Sequence, residues 1–271
     1  MHQLIQTAKQ VLRAREELPF SVYSSHQEQH LFNVPMIKPM LICVLDGCKK
    51  LGNENQVSCV AGDFIFLSNS PNVEMRNIPE NSQYFALLVE FEYQDFECFE
   101  GRQTKTEKSF QGEIDSLLLH TLQQFVEWSA VAPVELWPSR RQELLMLLNH
   151  QGYEQVRGIV ESPSLSHQLF NLISVDIAAD LGAETLSSQL AMSESTLRRK
   201  LSAEGTNLQA IKDKARLGHG LHMVQTTANP IGLIAEQCGY QSQSRFTDKF
   251  KQQFGITPSD LRKTRMRDLS E

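Results

Sequence analysis

The 271-residue sequence has no apolar run approaching the roughly 18 residues of a membrane span. Its opening segment carries Lys9, Arg13, Arg15, Glu16 and Glu17 where a secretory signal would be apolar. A cytoplasmic location with no membrane partner is therefore expected. Its five cysteines, at 43, 48, 59, 98 and 238, form no CxxC pair and are odd in number. That argues against a disulfide framework and for reduced, structural thiols. There are too few glycines (14) and prolines (10) for a collagenous or low-complexity chain. There is also no phosphate loop, no GxGxxG and no Ser-His-Asp order, so catalysis has no support and no cofactor is expected. Histidines do not cluster into a metal site: His26 and His30 are four apart, and no partner histidine stands in the 60–75 segment, where Asn72 and Val73 are found instead. His219 and His222, three apart, have no third ligand and are expected beside solvent or phosphate.

What is present is a globular balance, 41% apolar and 21% charged, at a length that suggests two domains. The charge is divided unevenly. Residues 1–169 hold 13 Lys and Arg against 21 Asp and Glu, whereas residues 170–271 hold 13 against 11. The basic residues there include Arg198, Arg199, Lys200, Lys212, Lys214, Arg216, Arg245, Lys249 and Lys251. An acidic sensing or assembly half joined to a nucleic-acid-binding half fits this asymmetry.

The fold class predicted is α+β. Short apolar stretches over 40–45, 56–60, 64–67, 73–76 and 84–91, separated by Asp46-Gly47, Gly62-Asp63 and Asn69-Ser70-Pro71-Asn72, read as strands of a small antiparallel barrel over about 20–110. After residue 112 the period becomes helical, with Ile114, Leu117, Leu118, Leu122, Phe125 and Val126, then Leu144 to Leu148. Two helices over about 113–148 thus close a first domain, 1–150. Residues 151–166, with Gly152, Gly158 and Ser162-Pro163-Ser164, read as a linker, and 167–268 as an all-helical second domain.

An internal repeat lies in that second domain. Leu186, Leu190, Ala191, Ser193, Leu197, Leu201 and Gly205 match Ile234, Cys238, Gly239, Ser242, Phe246, Phe250 and Gly255 at offsets of 48 to 50. Each copy reads as helix, tight turn, helix, over about 183–205 and 231–255. Ser193 and Ser242 are placed to cap the second helices, and Gly205 and Gly255 to stop them. This is the layout of a helix-turn-helix, whose second helix enters the DNA major groove. Helical spacing turns Leu197, Leu201, Phe246 and Phe250 inward, leaving Ser195, Thr196, Arg198 and Arg199 in one copy, and Gln243, Ser244, Arg245, Thr247 and Lys251 in the other, as candidate DNA contacts. Arginine suits guanine, glutamine suits adenine, and lysine suits phosphate. A helix over about 207–226 joins the copies and spans roughly 30 Å, close to the roughly 34 Å between successive groove faces.

The run from Thr185 to Arg262, above all IAEQCGYQSQSRFTDKFKQQFGITPSDLR at 234–262 and LAMSESTLRRKLSAEGTN at 190–207, resembles the DNA-binding domain of the AraC/XylS family of bacterial transcription regulators. The resemblance implies two helix-turn-helix units reading an asymmetric promoter site, usually to activate transcription with RNA polymerase as partner. Carried over by position, it implies contacts from Ser195, Arg198, Arg199, Gln243, Ser244 and Thr247. The chain departs from the common pattern at Ser187, Ala191 and Asp248, where the Asp248 carboxylate opposes phosphate unless Arg245 or a cytosine engages it. The first half, over VAGDFIFLSNSPNVEMRNIPE at 60–80, resembles the cupin-like barrel and helix pair of such regulators. That implies a small-molecule effector site and a homodimer contact, with a regulatory protein partner as the second reading.

Overall fold

The computed structural model describes residues 1–15, 17–52, 57–69, 72–80, 82–99, 107–160 and 164–265. The chain divides into two compact units: Met1–Glu161 with Lys263–Glu271, and Ser162–Arg262. Their helical and strand content confirms the α+β class.

Unit 1 opens on α1 (His2–Ala14), whose buried Leu4, Ile5, Ala8 and Val11 recur at helical spacing. The strands follow: β1 (Ser21–Ser25), β2 (Gln29–Val34), β3 (Met40–Asp46), β4 (Cys48–Leu51), β5 (Val57–Val60), β6 (Asp63–Leu67), β7 (Val73–Ile78), β8 (Tyr84–Glu90) and β9 (Ser109–Glu113). They form two antiparallel sheets, ordered β1-β8-β3-β6-β9 and β2-β7-β4-β5. The helices α2 (Ser116–Ser129) and α3 (Trp137–His150) complete the unit.

The central strand β3 explains a feature of the sequence, its unbroken apolar run. Leu41, Cys43 and Leu45 share a core with Leu4 and Ala8 of α1 and with Leu118, Leu122 and Phe125 of α2. Ile42 and Val44, on the other face, are equally buried. A strand covered on both faces loses the alternation of a half-exposed one.

The linker expected over 151–166 departs from what is observed. Residues Glu154–Gly158 form a short 3-10 turn, and Val156 and Ile159 are fully buried in the unit 1 core. Tyr153 packs edge-on against Phe64 at 5.0 Å between ring centres. Turn-forming glycines there serve a packed corner rather than a free connector; residues 161–163 lie outside the described residues.

Unit 2 runs α4 (Leu165–Val175), α5 (Ala183–Gln189), α6 (Glu194–Ala203), α7 (Leu208–Thr226), α8 (Ile231–Gln237), α9 (Gln243–Phe254) and, crossing into unit 1 at its last residue, α10 (Pro258–Lys263). The expected boundary at 268 moves inward for a physical reason. Thr264 and Arg265 are buried, and they are held by the start of the barrel: His26 donates its backbone N–H to the Thr264 carbonyl at 2.8 Å.

Candidate DNA interface

Two turns of unit 2 have the same backbone bonding. In the first, the Ala191 N–H donates to the Ser188 carbonyl at 3.0 Å and the Met192 N–H to the Ser187 carbonyl at 3.0 Å. In the second, Gly239 donates to Glu236 at 2.8 Å and Tyr240 to Ala235 at 2.9 Å. Both satisfy the last carbonyls of a short helix and need a left-handed residue at the turn. Gly239 supplies it at φ +75°, and Ala191 is forced into it at φ +51°. A side chain in that conformation costs about 1–2 kcal/mol, partly offset by the smaller entropy of unfolded alanine. Ala191→Gly is therefore expected to stabilise unit 2 by about 0.5–1 kcal/mol. The check is slower amide hydrogen exchange in α5 and α6.

Each turn hands over to a capped helix. Ser193 Oγ accepts from the Thr196 N–H and Ser242 Oγ from the Arg245 N–H, both at 3.3 Å. Gly205 and Gly255, at φ +70° and +79°, stand just past the ends of α6 and α9. The inward faces are Leu197 with Leu201 and Phe246 with Phe250 and Phe254, all buried. The three phenylalanine rings pack in series along α9 at 5.5 and 4.6 Å. On α7, a Cβ at Gly220 would lie 2.7 Å from the Phe246 ring, so that α7 backbone must be bare for α9 to seat.

The outward faces hold the candidate contacts. Ser195, Arg198, Arg199, Gln243, Ser244, Arg245 and Lys251 are exposed, and Thr196 and Thr247 are half-buried. Arg198 lies 3.6 Å from Glu194 across one helical turn, with 79% of its side chain exposed. Such an ion pair is weak and easily exchanged for another acceptor. Asp248 is exposed, and among the described residues no ion pair joins it to Arg245. Instead its neighbour Lys249 pairs with Asp213 of α7 at 3.5 Å.

Two members of the basic cluster are diverted inward. Lys212 is buried and donates to Asp180 at 2.9 Å; Arg216 lies 3.7 Å from the same carboxylate and bonds the Ile177 and Ala179 carbonyls. The hydrogen bond from Lys212 holds the Asp180 carboxyl below its ordinary value. These two cations clip the segment before α5 onto α7. Position alone does not mark them, since Arg198 and Lys251 also follow inward residues and are exposed. His219 and His222 are half-buried, and burial lowers the basicity of both rings.

The joining helix α7 has 19 residues, about 29 Å at 1.5 Å each. At the entry to unit 2, Glu204 accepts from the Leu165 and Ser166 N–H groups at 3.0 Å, adding to the Ser164 cap of α4. Neither Asp180 nor Glu204 adds free negative charge to the outward faces of α6 and α9.

In unit 1, His30 pairs with Glu74 at 2.7 Å, and His26 Nδ1 lies 3.0 Å from the Arg265 carbonyl oxygen. Among the described residues no group of three or more His, Cys, Asp or Glu could hold a metal, and no helix is long and apolar enough to cross a membrane.

Comparison with known proteins agrees with this geometry. Residues 186–264 match the model of a helix-turn-helix domain. The transcriptional regulator SirC of Salmonella typhimurium is 32% identical over 97 residues, which are 36% of this chain and 33% of SirC. The regulator GadX of Escherichia coli is 28% identical over 110 residues, 41% of this chain and 40% of GadX. The matches thus span about a third to two fifths of these relatives. Over nearly the whole length, 92% of this chain and 99% of the other, the fold is similar to that of an apo form of ToxT from Vibrio cholerae, with a TM-score of 0.67 at 15% identity. Residues 186–264 therefore match a helix-turn-helix domain, in a chain whose fold is similar to that of ToxT.

Proposed function

We propose that the chain is a sequence-specific DNA-binding transcription regulator, an activator that reads two adjacent major-groove segments through α6 and α9. The observation that carries this reading is the pair of turns with matched bonding, each followed by a serine-capped helix with a buried apolar face and an exposed polar one. Arg198, Arg199, Gln243 and Ser244 are the base readers, helped by Ser195, Thr196 and Thr247, while Arg245 and Lys251 meet phosphate. The protein works in the cytoplasm beside RNA polymerase.

A small effector at unit 1 controls the reader. A structure of ToxT with an unsaturated fatty acid bound supports a small molecule over a protein partner. Leu117, Val131, Val134, Leu136 and Met146 of the α2–α3 region are exposed apolar side chains, which supports a homodimer through that face.

The test is a footprint of the full chain on DNA flanking its own gene, across a salt series. Protection of two neighbouring groove segments is expected. Arg199→Ala or Gln243→Ala should cost about 1–3 kcal/mol of discrimination, roughly 5- to 150-fold, at one end of the site. A uniform loss over all sequences would reassign the residue to phosphate, and wild-type protein without sequence-dependent protection would overturn the reading.

A further inference from the structure

A line of buried side-chain hydrogen bonds runs through unit 1 and ends on the segment that follows the DNA-binding domain. Lys49 Nζ donates to Asn77 Oδ1 at 2.7 Å, Asn77 Nδ2 to Gln29 Oε1 at 2.9 Å, and Gln29 Nε2 to Thr264 Oγ1 at 2.8 Å. Lys49, Asn77 and Gln29 are at most 1% exposed, and Thr264 is 7% exposed. The line has a direction. An ammonium group only donates, so it turns the Asn77 carbonyl toward itself; the Asn77 amide is then left to donate onward, and Gln29 must do the same. Each amide is locked by its neighbour, so a change at the lysine end alters what is presented to Thr264.

Two further bonds fasten the same segment. The His26 N–H donates to the Thr264 carbonyl at 2.8 Å, and His26 Nδ1 lies 3.0 Å from the Arg265 carbonyl oxygen. Residues 162–262 are thus preceded and followed by chain that belongs to unit 1.

We propose that residues 263–265 are a clasp by which unit 1 holds the far end of the DNA-binding unit, and that the Lys49–Asn77–Gln29 line sets how firmly it holds. The regulatory part rests on the reading that unit 1 controls the DNA reader. A weaker line, with the Gln29 donor turned away from Thr264, loosens the clasp.

The experiment uses the full chain with Thr264→Val, which removes only the acceptor hydroxyl, and separately Gln29→Leu. Hydrogen exchange is followed at the His26 amide, whose acceptor is in the clasp, and in β3 and α2 as internal references. DNA affinity is measured on the footprinted site. Exchange at His26 is expected to rise at least tenfold while β3 and α2 hold, and affinity to rise severalfold as the restraint is lost. Unchanged exchange at His26, or an equal rise in β3, would overturn the clasp. Faster His26 exchange with unaltered affinity would overturn the restraint. Failure of the wild-type chain to bind DNA at all would instead sink the regulator reading, and the exchange result would still decide the clasp.

Discussion

Replacing Arg141 by leucine is expected to cost unit 1 about 3–5 kcal/mol. Asp95 is completely buried in the 3-10 turn Tyr93–Cys98, and the Arg141 guanidinium on α3 meets both of its oxygens, at 2.6 and 3.2 Å. The same carboxylate accepts the Glu92 N–H at 2.8 Å. Removing the cation leaves a buried negative charge that, among the described residues, keeps the Glu92 N–H as its donor, whereas removing both charges is far milder. Adding Asp95→Asn to Arg141→Leu should accordingly recover more than half of the loss, because an amide keeps the acceptor for Glu92 without the charge. The measurement is convenient, since both tryptophans, Trp128 and Trp137, lie in α2 and α3 and their fluorescence reports unit 1 alone. A shift of the urea midpoint worth less than about 1 kcal/mol would show the pair to be dispensable.

The second large effect concerns pH. Lys49 is 1% exposed, its Nζ lying near Asn77 Oδ1, 3.5 Å from Met75 Sδ and 5.7 Å from the centre of the Tyr84 ring, and the described residues give it no carboxylate partner. Burial lowers it from its usual 10.5 to about 8. Between those values the folded chain holds fewer protons than the unfolded chain, so this group's contribution to stability rises with pH. Its cost is fully present below pH 8 and is relieved by about pH 10.5, a change of about 3 kcal/mol at 1.36 per unit. The nearby Cys59, pushed up to about 12, and Tyr84 and Cys43, also raised by burial, act in the opposite sense as pH climbs. The stability difference between wild type and Lys49→Met isolates the amine, and it should move in favour of the wild type by about that amount from pH 8 to pH 10.5. A difference that stays flat would mean that the amine titrates normally.

The helical half was more legible than the barrel, and the residues show why. A serine cap, a turn glycine and an apolar pair four apart are local devices, so Ser193, Ser242, Gly255 and the Phe246–Phe250 pair could be placed from spacing alone. By contrast β4 reads Cys-Lys-Lys-Leu and gives no strand pattern, because Lys49 is inside the protein against the usual preference of lysine. The strands β1, β2 and β9 were missed too, since the polar Ser24, Ser25 and Gln29 are buried by partners distant in sequence. Helix α1 had a clear signal at 4, 5, 8 and 11 that its charged residues masked. The inward turn of Lys212 and Arg216 depends on Asp180, some thirty residues earlier, and composition alone counts them as surface charge. Which outward residues touch bases remains the proposal that footprinting decides.

The interrupted order of unit 1 also bears on biosynthesis. A ribosome delivers residues 1–161 first, then all of the DNA-binding unit, and only afterwards Thr264 and Arg265. The strands and helices within residues 1–161 are thus free to form while the residues that bind His26 and Gln29 have yet to emerge. Every newly made molecule passes through a stage in which the barrel stands without the residues that close on His26 and Gln29.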